Sequence, residues 1–324
     1  MSCDFRIHAL SRADIVAADF SNLQIFSRFR RHPGFSVAEQ MTIFRHELLE
    51  ALAENGACEA LCLEDRIVAV VAVRLLAWDS DHFGLPMARM HIAAADTATV
   101  GAISELVGSV AAQFRQHSAA QHFSLEVDID DYSCLNGALG AGFQIMDVKR
   151  TYCARKLRED IDFIRLSSRV RPFREEDREA VRALVAQVDF VSRFSRDGTL
   201  DADRARALYQ RWFESLLREA DSSVIALVFQ RAGKVAACGV IEEADLSRYG
   251  VSRRLFSGGL YASGLSGAGG YIPVMHALTT EAARRHGIVD TTVSLNNTAP
   301  CRVLESFRSY SGTVTRYALR LYLA

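Results

Sequence analysis

The chain has 324 residues, of which 49% are hydrophobic and 24% are charged, and these values are typical of folded globular proteins. One hydrophobic core stops growing at roughly 250 to 300 residues, so the length favours two domains. The 38 Lys and Arg residues nearly balance the 39 Asp and Glu residues, which disfavours a general nucleic-acid-binding protein and favours a small-molecule partner.

The sequence also lacks the usual signs of a membrane or metal protein. No apolar run approaches the ~20 residues that cross a bilayer, and the first residues have no apolar signal core, so we expect a cytoplasmic protein without a membrane partner. The seven cysteines never form a Cys-x-x-Cys pair, and the nine histidines form neither His-Glu-x-x-His nor His-x-His. These patterns predict reduced core cysteines and no metal site.

The first half alternates strand and helix patterns. In chain order it predicts a strand at 5–9, helices at 11–29 and 37–54, strands at 60–64, 67–76 and 88–93, a helix at 97–116, a strand at 123–129, a short helix at 131–139 and a strand at 143–154. We expect Gly56 to end the second helix as its C-cap, and Asp65-Arg66 to join a hairpin of two strands.

A charged stretch without a clear period at residues 155–166 is typical of a connection between domains, so we divide the chain into domains at 1–160 and 161–324. The same order then returns: a strand at 169–171, helices to 188 and at 201–219, strands at 223–230 and 235–241 joined at Ala232-Gly233, a strand at 255–262, a glycine-rich turn, a helix at 272–286, a strand at 289–295, a short helix at 298–307 and a strand at 313–323. This repetition indicates a duplicated α/β (α+β) unit.

The most informative segment runs from Leu260 to Met275, with glycines at 264, 267, 269 and 270 between a strand and a helix. Glycines let the backbone approach a ligand, and free N–H groups at a helix N-terminus attract phosphate. A flexible surface turn is the alternative interpretation. The segment lacks the Lys-Ser/Thr ending of a nucleotide-triphosphatase loop and does not open a βαβ unit, so acyl-CoA is the favoured phosphate ligand.

Several segments in matching order resemble the GNAT acetyltransferase superfamily, and within it the TDP-fucosamine acetyltransferase group. In the first half these are Trp78-Asp-Ser-Asp-His-Phe-Gly84 and Leu139-Gly-Ala-Gly-Phe143. In the second half they are Ser192-Arg-Phe194, Tyr209-Gln-Arg-Trp212 with Glu214, the glycine turn and Leu295-Asn-Asn-Thr-Ala299. The resemblance implies two tandem GNAT-like domains, each a mixed, mostly antiparallel sheet flanked by helices.

The resemblance also implies a site for acetyl-CoA in the C-terminal domain. Its backbone contacts to pantetheine and pyrophosphate correspond here to Tyr261, Ala262, Ser263, Ser266, Gly267, Ala268, Gly269, Gly270 and Tyr271, and Asn297 contacts the pantetheine side. The first half has no such turn after its fourth strand, because Ala93 to Thr99 leads directly into a helix. We therefore expect that half to have a structural role and no CoA.

This sequence departs from the family pattern at three positions. Ser266 stands where Gln or Arg is usual, Tyr271 stands at a small position, and Leu304 stands seven residues after Asn297, where the relative has its general-acid tyrosine. Candidates for proton transfer are Tyr261, Tyr271 and Tyr310 as the acid, and Glu242 or Glu243 as the base. The alternative for each is ordinary packing of a tyrosine or solvation of a glutamate.

Arg193 and Phe194 are candidate acceptor-binding residues, for a nucleotide diphosphate and for a base or sugar; a buried loop is the alternative. The expected function is transfer of an acetyl or other acyl group from acyl-CoA to a primary amine, with a nucleotide-linked amino sugar as one candidate. A non-catalytic acyl-CoA-binding or scaffold protein is the second hypothesis, and an aminoacyl-tRNA-dependent transferase is disfavoured by the neutral charge. The oligomeric state stays open, with a homodimer as one alternative.

Overall fold

The computed structural model describes residues 5–24, 32–154, 168–218, 223–264 and 269–323. These form two compact units: unit 1 comprises Met1–Arg31, Phe35–Lys149 and Val314–Ala324, and unit 2 comprises His32–Gly34 and Arg150–Thr313. The sequence assigned the last strand to the C-terminal domain, whereas its second part belongs to unit 1. The boundary predicted at residue 160 lies outside the described residues.

Unit 1 contains a mixed sheet. Its strands are β1 (Phe5–Ala9), β2 (Ala57–Leu63), β3 (Arg66–Leu75), β4 (Met87–Ala94), β5 (His122–Asp128) and the last part of β12 (Tyr310–Tyr322), in the spatial order β1-β2-β3-β4-β5-β12. Only β4 and β5 among these neighbours run parallel. The last part of the chain thus adds a strand beside β5 in this sheet.

The helices of unit 1 are α1 (Arg12–Ala17), α2 (Val37–Ala53), α3 (Ala77–Phe83), α4 (Val100–Ser118) and α5 (Tyr132–Gly140). Helix α4 buries residues at three- and four-residue intervals, including Ile103, Leu106, Val110 and Phe114, against the sheet. Side-chain caps fix the starts of the longer helices, since Ser36 caps α2 and Thr99 caps α4. Helix α3 was not predicted from the sequence.

Unit 2 contains the last part of β6 (Gln144–Ala154) and the strands β7 (Val170–Pro172), β8 (Val224–Arg231), β9 (Lys234–Ala244), β10 (Leu255–Ser263) and β11 (Ile288–Ser294). Their spatial order is β6-β11-β10-β9-β8-β7. The pairs from β7 to β10 are antiparallel, and β10 and β11 run parallel. Each unit is therefore a mixed, mostly antiparallel α/β fold, as predicted.

In the part of unit 2 that the structure describes, the two faces of the sheet are covered by α6 (Arg178–Gln187), α7 (Ala202–Arg218), α8 (Tyr271–Arg284) and α9 (Thr298–Ser306). On one face, α6 and α7 pack on Cys238, Val240 and Leu260. On the other, Val274 and Leu278 of α8 pack on Ile241 and Phe256. Within the described residues, no helix has both the length and the apolar character needed to cross a membrane.

The turns at Gly56 and between β2 and β3 differ from the prediction, and the turn between β8 and β9 agrees with it. The β2–β3 turn is Glu64-Asp65, both with positive φ, rather than Asp65-Arg66, whereas Ala232-Gly233 joins β8 and β9 as predicted. Gly56 is not the left-handed residue after α2, because Asn55 has φ 57°. Gly56 is instead required by packing, since a Cβ there would lie 2.1 Å from the carbonyl oxygen of Val73.

Candidate functional site

The central feature of unit 2 is the early separation of its two parallel strands. β10 pairs with β11 at Leu255–Ile288 and Phe256–Val289. β10 then continues to Ser263 and β11 to Ser294 without further recorded pairing between them in the described chain. A backbone edge of β10 therefore faces the space that opens between the two strands.

The hydrogen-bond pattern shows which atoms form that edge. The N–H of Gly264 donates to the carbonyl oxygen of Ala236 on the β9 side at 3.2 Å. Because N–H groups alternate along an antiparallel strand, Ala262 also faces β9, and the N–H and C=O groups of Tyr261 and Ser263 face β11. These are the backbone groups to which the sequence analysis assigned pantetheine.

A glycine bulge interrupts β10 before this edge. The register with β9 shifts between Ser257 and Leu260, and Gly258 has φ 68°, a conformation that favours glycine. Gly259 and Gly239 leave room for the Tyr261 ring, because a Cβ at either glycine would come within 2.8 Å of a ring carbon of Tyr261. The glycines therefore set both the backbone path and the position of this tyrosine.

Helix α8 begins directly after the glycine turn. Gly269 has φ 85°, and a Cβ there would meet no atom within 4 Å, so the backbone conformation and not space requires glycine. Gly270 is the N-cap residue and, having no side chain, makes no capping hydrogen bond. The first-turn N–H groups of α8 are thus available to an anion. Ser266, Gly267 and Ala268 lie outside the described residues.

Tyrosines gather around Leu304 on the α8 side of the sheet. Leu304 is fully buried in a cluster with Met275 and Phe307. The rings of Tyr261 and Tyr271 meet edge to face, with centroids 5.3 Å apart, and both pack against this cluster. The remaining tyrosines of the cluster are Tyr152 and Tyr310. The structure thus brings together all three predicted acid candidates and the position where the relative has its tyrosine.

Burial keeps these phenols protonated. It raises the pKa of Tyr261 and Tyr310 above the ordinary value of 10.0, and it raises the pKa of Tyr271 well above that value. The hydroxyls of Tyr310 and Thr279 lie 3.1 Å apart and share a hydrogen bond. Each tyrosine is therefore in the proton-donating form that a general acid requires.

Tyr152 was missed by the sequence analysis. It lies on β6 and its hydroxyl donates to Oε1 of Glu305 on α9 at 3.0 Å. Burial is the main cause that raises the pKa of the Tyr152 phenol. No local pattern marks this residue, because it reaches the cluster through strand pairing with a distant part of the chain.

The predicted acid and base residues lie on opposite faces of the sheet. Tyr261 pairs with Gly239 on the α8 face, while Glu242 is opposite Ser257 on the face covered by α6 and α7. Glu242 is exposed. Glu243 forms an ion pair with Arg254, with Nε 2.6 Å from Oε1, which weakens it as a candidate base.

Aromatic residues connect the α6–α7 loop to the glycine bulge. Phe190 stacks on Tyr209 with ring centroids 4.2 Å apart, and Tyr209 lies 6.3 Å from Trp212. A Cβ at Gly258 would lie 3.5 Å from Cζ2 of Trp212. Arg193 in this loop stacks over the Phe194 ring at 4.5 Å. The predicted acceptor residues thus lie in a loop that is anchored over the Glu242 face.

Asn297 is the N-cap residue of α9, yet its half-buried side chain makes no capping hydrogen bond. The Asn297 side-chain amide does not cap its own helix and is available for the contact with pantetheine that the resemblance implies. In the described part of the chain, no group of three or more His, Cys, Asp or Glu side chains has the arrangement of a metal site.

Unit 1 differs from unit 2 at the equivalent strand edge. The N–H of Ala95 donates to Val68 as that of Gly264 donates to Ala236, so Ala94 corresponds to Ser263. The carbonyl of Ala94 accepts a hydrogen bond from the N–H of Gln24 at 2.8 Å. In unit 1, therefore, Gln24 occupies the strand edge that is open in unit 2, and Thr99 caps the helix that follows.

Comparisons with known proteins agree with this architecture. No family model and no curated protein matches the sequence. The structure is similar to that of a GCN5-related N-acetyltransferase from Sphaerobacter thermophilus, with a TM-score of 0.59 and 14% identity over 98% of this chain and 95% of that chain. It is also similar to a tandem GNAT protein from the clavulanic acid biosynthesis pathway, with a TM-score of 0.50 and 11% identity over 98% of each chain. The chain therefore has the tandem fold of the GCN5-related N-acetyltransferase (GNAT) superfamily.

Proposed function

We propose that the chain transfers an acetyl or related acyl group from acyl-CoA to a primary amine. The observation that carries this proposal is the sequence of features in unit 2: an open β10 edge, a glycine turn and an uncapped helix α8. Pantetheine can add to a strand edge through amide hydrogen bonds, and pyrophosphate is attracted by helix N–H groups. The two similar proteins named as acetyltransferase or GNAT protein support the same activity class.

The residues of this chain have separate tasks in the proposed site. Backbone groups of Tyr261 and Ser263 bind pantetheine, while Gly269, Gly270 and the first turn of α8 bind pyrophosphate. The neighbouring residues of the proposed acyl-CoA site, carried over from the resemblance, are Ala262, Ser266, Gly267, Ala268, Tyr271 and Asn297.

The chemistry needs few side chains. The neutral amine attacks the thioester carbonyl, and the resulting oxyanion is stabilised by a backbone N–H on the open edge of β10. Collapse of this intermediate breaks the carbon–sulfur bond and forms the amide. A buried phenol, Tyr261 or Tyr271, then supplies a proton to the leaving thiolate, and Glu242 accepts the proton that the amine loses.

The acceptor lies, in this proposal, over the face that carries Glu242 and the α6–α7 loop. Arg193 and Phe194 contact it there. A nucleotide-linked amino sugar is one acceptor that fits a cation beside an aromatic ring, because it combines negative charge with a flat base.

The test is a thiol-release assay with purified protein, acetyl-CoA and a panel of primary amines, joined to mass spectrometry of the acylated amine. Amine-dependent thiol release with a product heavier by one acyl group supports the proposal. If acetyl-CoA binds but no amine is acylated, the second candidate below replaces it.

The second candidate is an acyl-CoA-binding protein without transferase activity. It is favoured by one observation: the position of the expected general acid is Leu304, whose side chain is fully buried in an apolar and aromatic cluster. If the protein does not bind acetyl-CoA, both candidate functions are excluded.

A further inference from the structure

We propose that Arg193 binds an anionic group, a carboxylate or a phosphate, of the acceptor amine, so that the substrate class is acidic amines; this rests on the proposed acyl transfer. The starting observation is one unsatisfied nitrogen of a guanidinium group. Within the described residues, Nη1 of Arg193 is buried and has no hydrogen-bond partner. Burying an unpaired charged donor costs free energy, so such a group calls for a ligand.

Three other arginines of unit 2, Arg171 on β7 and Arg178 and Arg182 on α6, have acidic partners. Arg178 contacts Glu214 with Nη1 3.1 Å from Oε2, and Arg182 contacts the same carboxylate at 3.0 Å. Arg171 holds Asp177 through two hydrogen bonds of 2.6 and 2.8 Å. Each of these three arginines is paired with an acid, and the buried Nη1 of Arg193 differs from them in having no hydrogen-bond partner.

The loop that holds Arg193 is locally organised. The N–H of Phe194 donates to Oγ of Ser192 at 3.3 Å, and the hydroxyl of Ser195 donates to the carbonyl of Ser192 at 3.0 Å. The guanidinium lies over the Phe194 ring at 4.5 Å. Stacking fixes the plane of the guanidinium, and its N–H groups lie in that plane, which is the geometry that binds a carboxylate or a phosphate.

The position of the loop connects this anion site to the proposed reaction. Phe190, three residues before Arg193, packs with Tyr209 and Trp212 in the core cluster that includes Val240 and Leu260. Trp212 reaches the glycine bulge of β10. An acceptor bound to Arg193 would therefore lie on the side of the sheet that α6 and α7 cover, which is also the side of Glu242.

The test compares pairs of primary amines that differ only in the acidic group: ethanolamine with O-phosphoethanolamine, and β-alaninamide with β-alanine. We expect a higher kcat/KM for the acidic member, with the preferred pair distinguishing phosphate from carboxylate. Arg193→Gln should lower kcat/KM for that member by about 10- to 100-fold, the loss of one charge-assisted hydrogen bond or two. The kcat/KM for the neutral member should fall much less, because that amine has no anionic group for Arg193 to bind. Arg196→Gln, at an exposed position of the same loop, is the matched control.

A second readout does not depend on turnover. With CoA saturating, sodium phosphate or sodium acetate should raise the melting temperature of the wild-type protein, relative to sodium chloride at equal ionic strength, and should not raise that of Arg193→Gln. The inference is overturned if Arg193→Gln lowers kcat/KM equally for both members of a pair. It is also overturned if the substitution changes neither kcat/KM nor the anion-dependent shift in melting temperature. If no amine is acylated but the Arg193-dependent shift is present, the proposed transferase function fails while the anion site stands.

Discussion

The main-chain N–H of Gln24 donates to the carbonyl oxygen of Ala94 at 2.8 Å, on the edge of β4 that faces β5. A second contact lies two residues after Ala94, where the Gln24 side-chain amide donates to Oδ1 of Asp96. Ala94 corresponds to Ser263 in unit 2, where the edge is open. The two units therefore differ at equivalent positions, because the strand edge is hydrogen-bonded to Gln24 in unit 1 and open in unit 2.

This comparison predicts one acyl-CoA per chain. In unit 1, Gln24 is paired with the edge of β4 and Thr99 caps α4. In unit 2, the corresponding edge of β10 is open and the N-cap residue of α8 makes no side-chain cap. Calorimetric titration with acetyl-CoA should give one equivalent per chain. Two equivalents would show that the Gln24 contact yields to ligand, and none would contradict the site in unit 2.

Gly269→Asp should abolish acyl-CoA binding, because it places a negative charge where phosphate approaches the start of α8. Gly269→Asn is the matched variant, since asparagine has nearly the same shape without the charge and bears the same backbone strain at φ 85°. We expect the Asn variant to bind more tightly than the Asp variant in the same titration.

A control in the other unit separates this effect from general damage. Gly101 lies in the first turn of α4 and is exposed, and a Cβ added there would meet no atom within 4 Å. Gly101→Asp should leave acetyl-CoA affinity unchanged. Equal affinities of the Gly269 Asp and Asn variants, with both folded, would show that phosphate does not approach this turn.

The fold was predictable from sequence to an unusual depth because its elements have strong local signals. Strand β10, predicted at 255–262, spans Leu255–Ser263, and α2, predicted at 37–54, spans Val37–Ala53 behind a Ser36–Glu39 capping box. Periodicity and capping act within a few residues, so they can be read along the chain. The first helix was predicted too long, since α1 ends at Ala17.

The features that a local pattern could not show depend on distant pairing. Tyr152 meets Glu305 across 153 positions, and Gln24 meets Asp96 across 72. The opposite placement of Tyr261 and Glu242 follows from strand register and the Gly258 bulge. Helix α3 has a readable signal in retrospect, because Trp78 and His82 stack one turn apart before the left-handed Gly84.

The buried phenols predict a loss of stability at high pH. Burial raises the folded-state pKa of Tyr261 and Tyr310 above 10.0. The unfolded chain therefore releases these protons near pH 10 while the folded chain keeps them, so the free energy of unfolding is constant below that pH and falls above it. Each tyrosine adds at most about 1.4 kcal/mol per pH unit to this fall.

Urea unfolding at a series of alkaline pH values measures this slope. The Tyr261→Phe and Tyr310→Phe variants should each show a shallower decline than the wild-type protein. An unchanged slope in both variants would contradict the assignment of buried, protonated phenols.

Phenylalanine variants of the four tyrosines in the Leu304 cluster identify the proton donor. If Tyr261 or Tyr271 returns the proton to the thiolate, its Phe variant should lower kcat for thiol release by about 10²- to 10⁴-fold, the usual range for general acid catalysis. Acetyl-CoA affinity should change little, because the backbone contacts remain. Tyr310→Phe and Tyr152→Phe are the comparisons within the same cluster. Full activity in all four variants would assign the proton to water.

The last prediction concerns Leu304, which stands where the relative has its general-acid tyrosine. Leu304 has no exposed surface and packs beside Tyr152 and Met275. A larger ring there should cost about 1 to 3 kcal/mol of stability through overpacking. Leu304→Tyr and Leu304→Phe should therefore be destabilised alike in thermal unfolding, since they add the same ring. If a phenol at this position can reach the departing thiolate, the Tyr variant should release thiol faster than the Phe variant with a suitable amine. Equal rates for the two variants would show that Leu304 does not occupy the position of the missing acid.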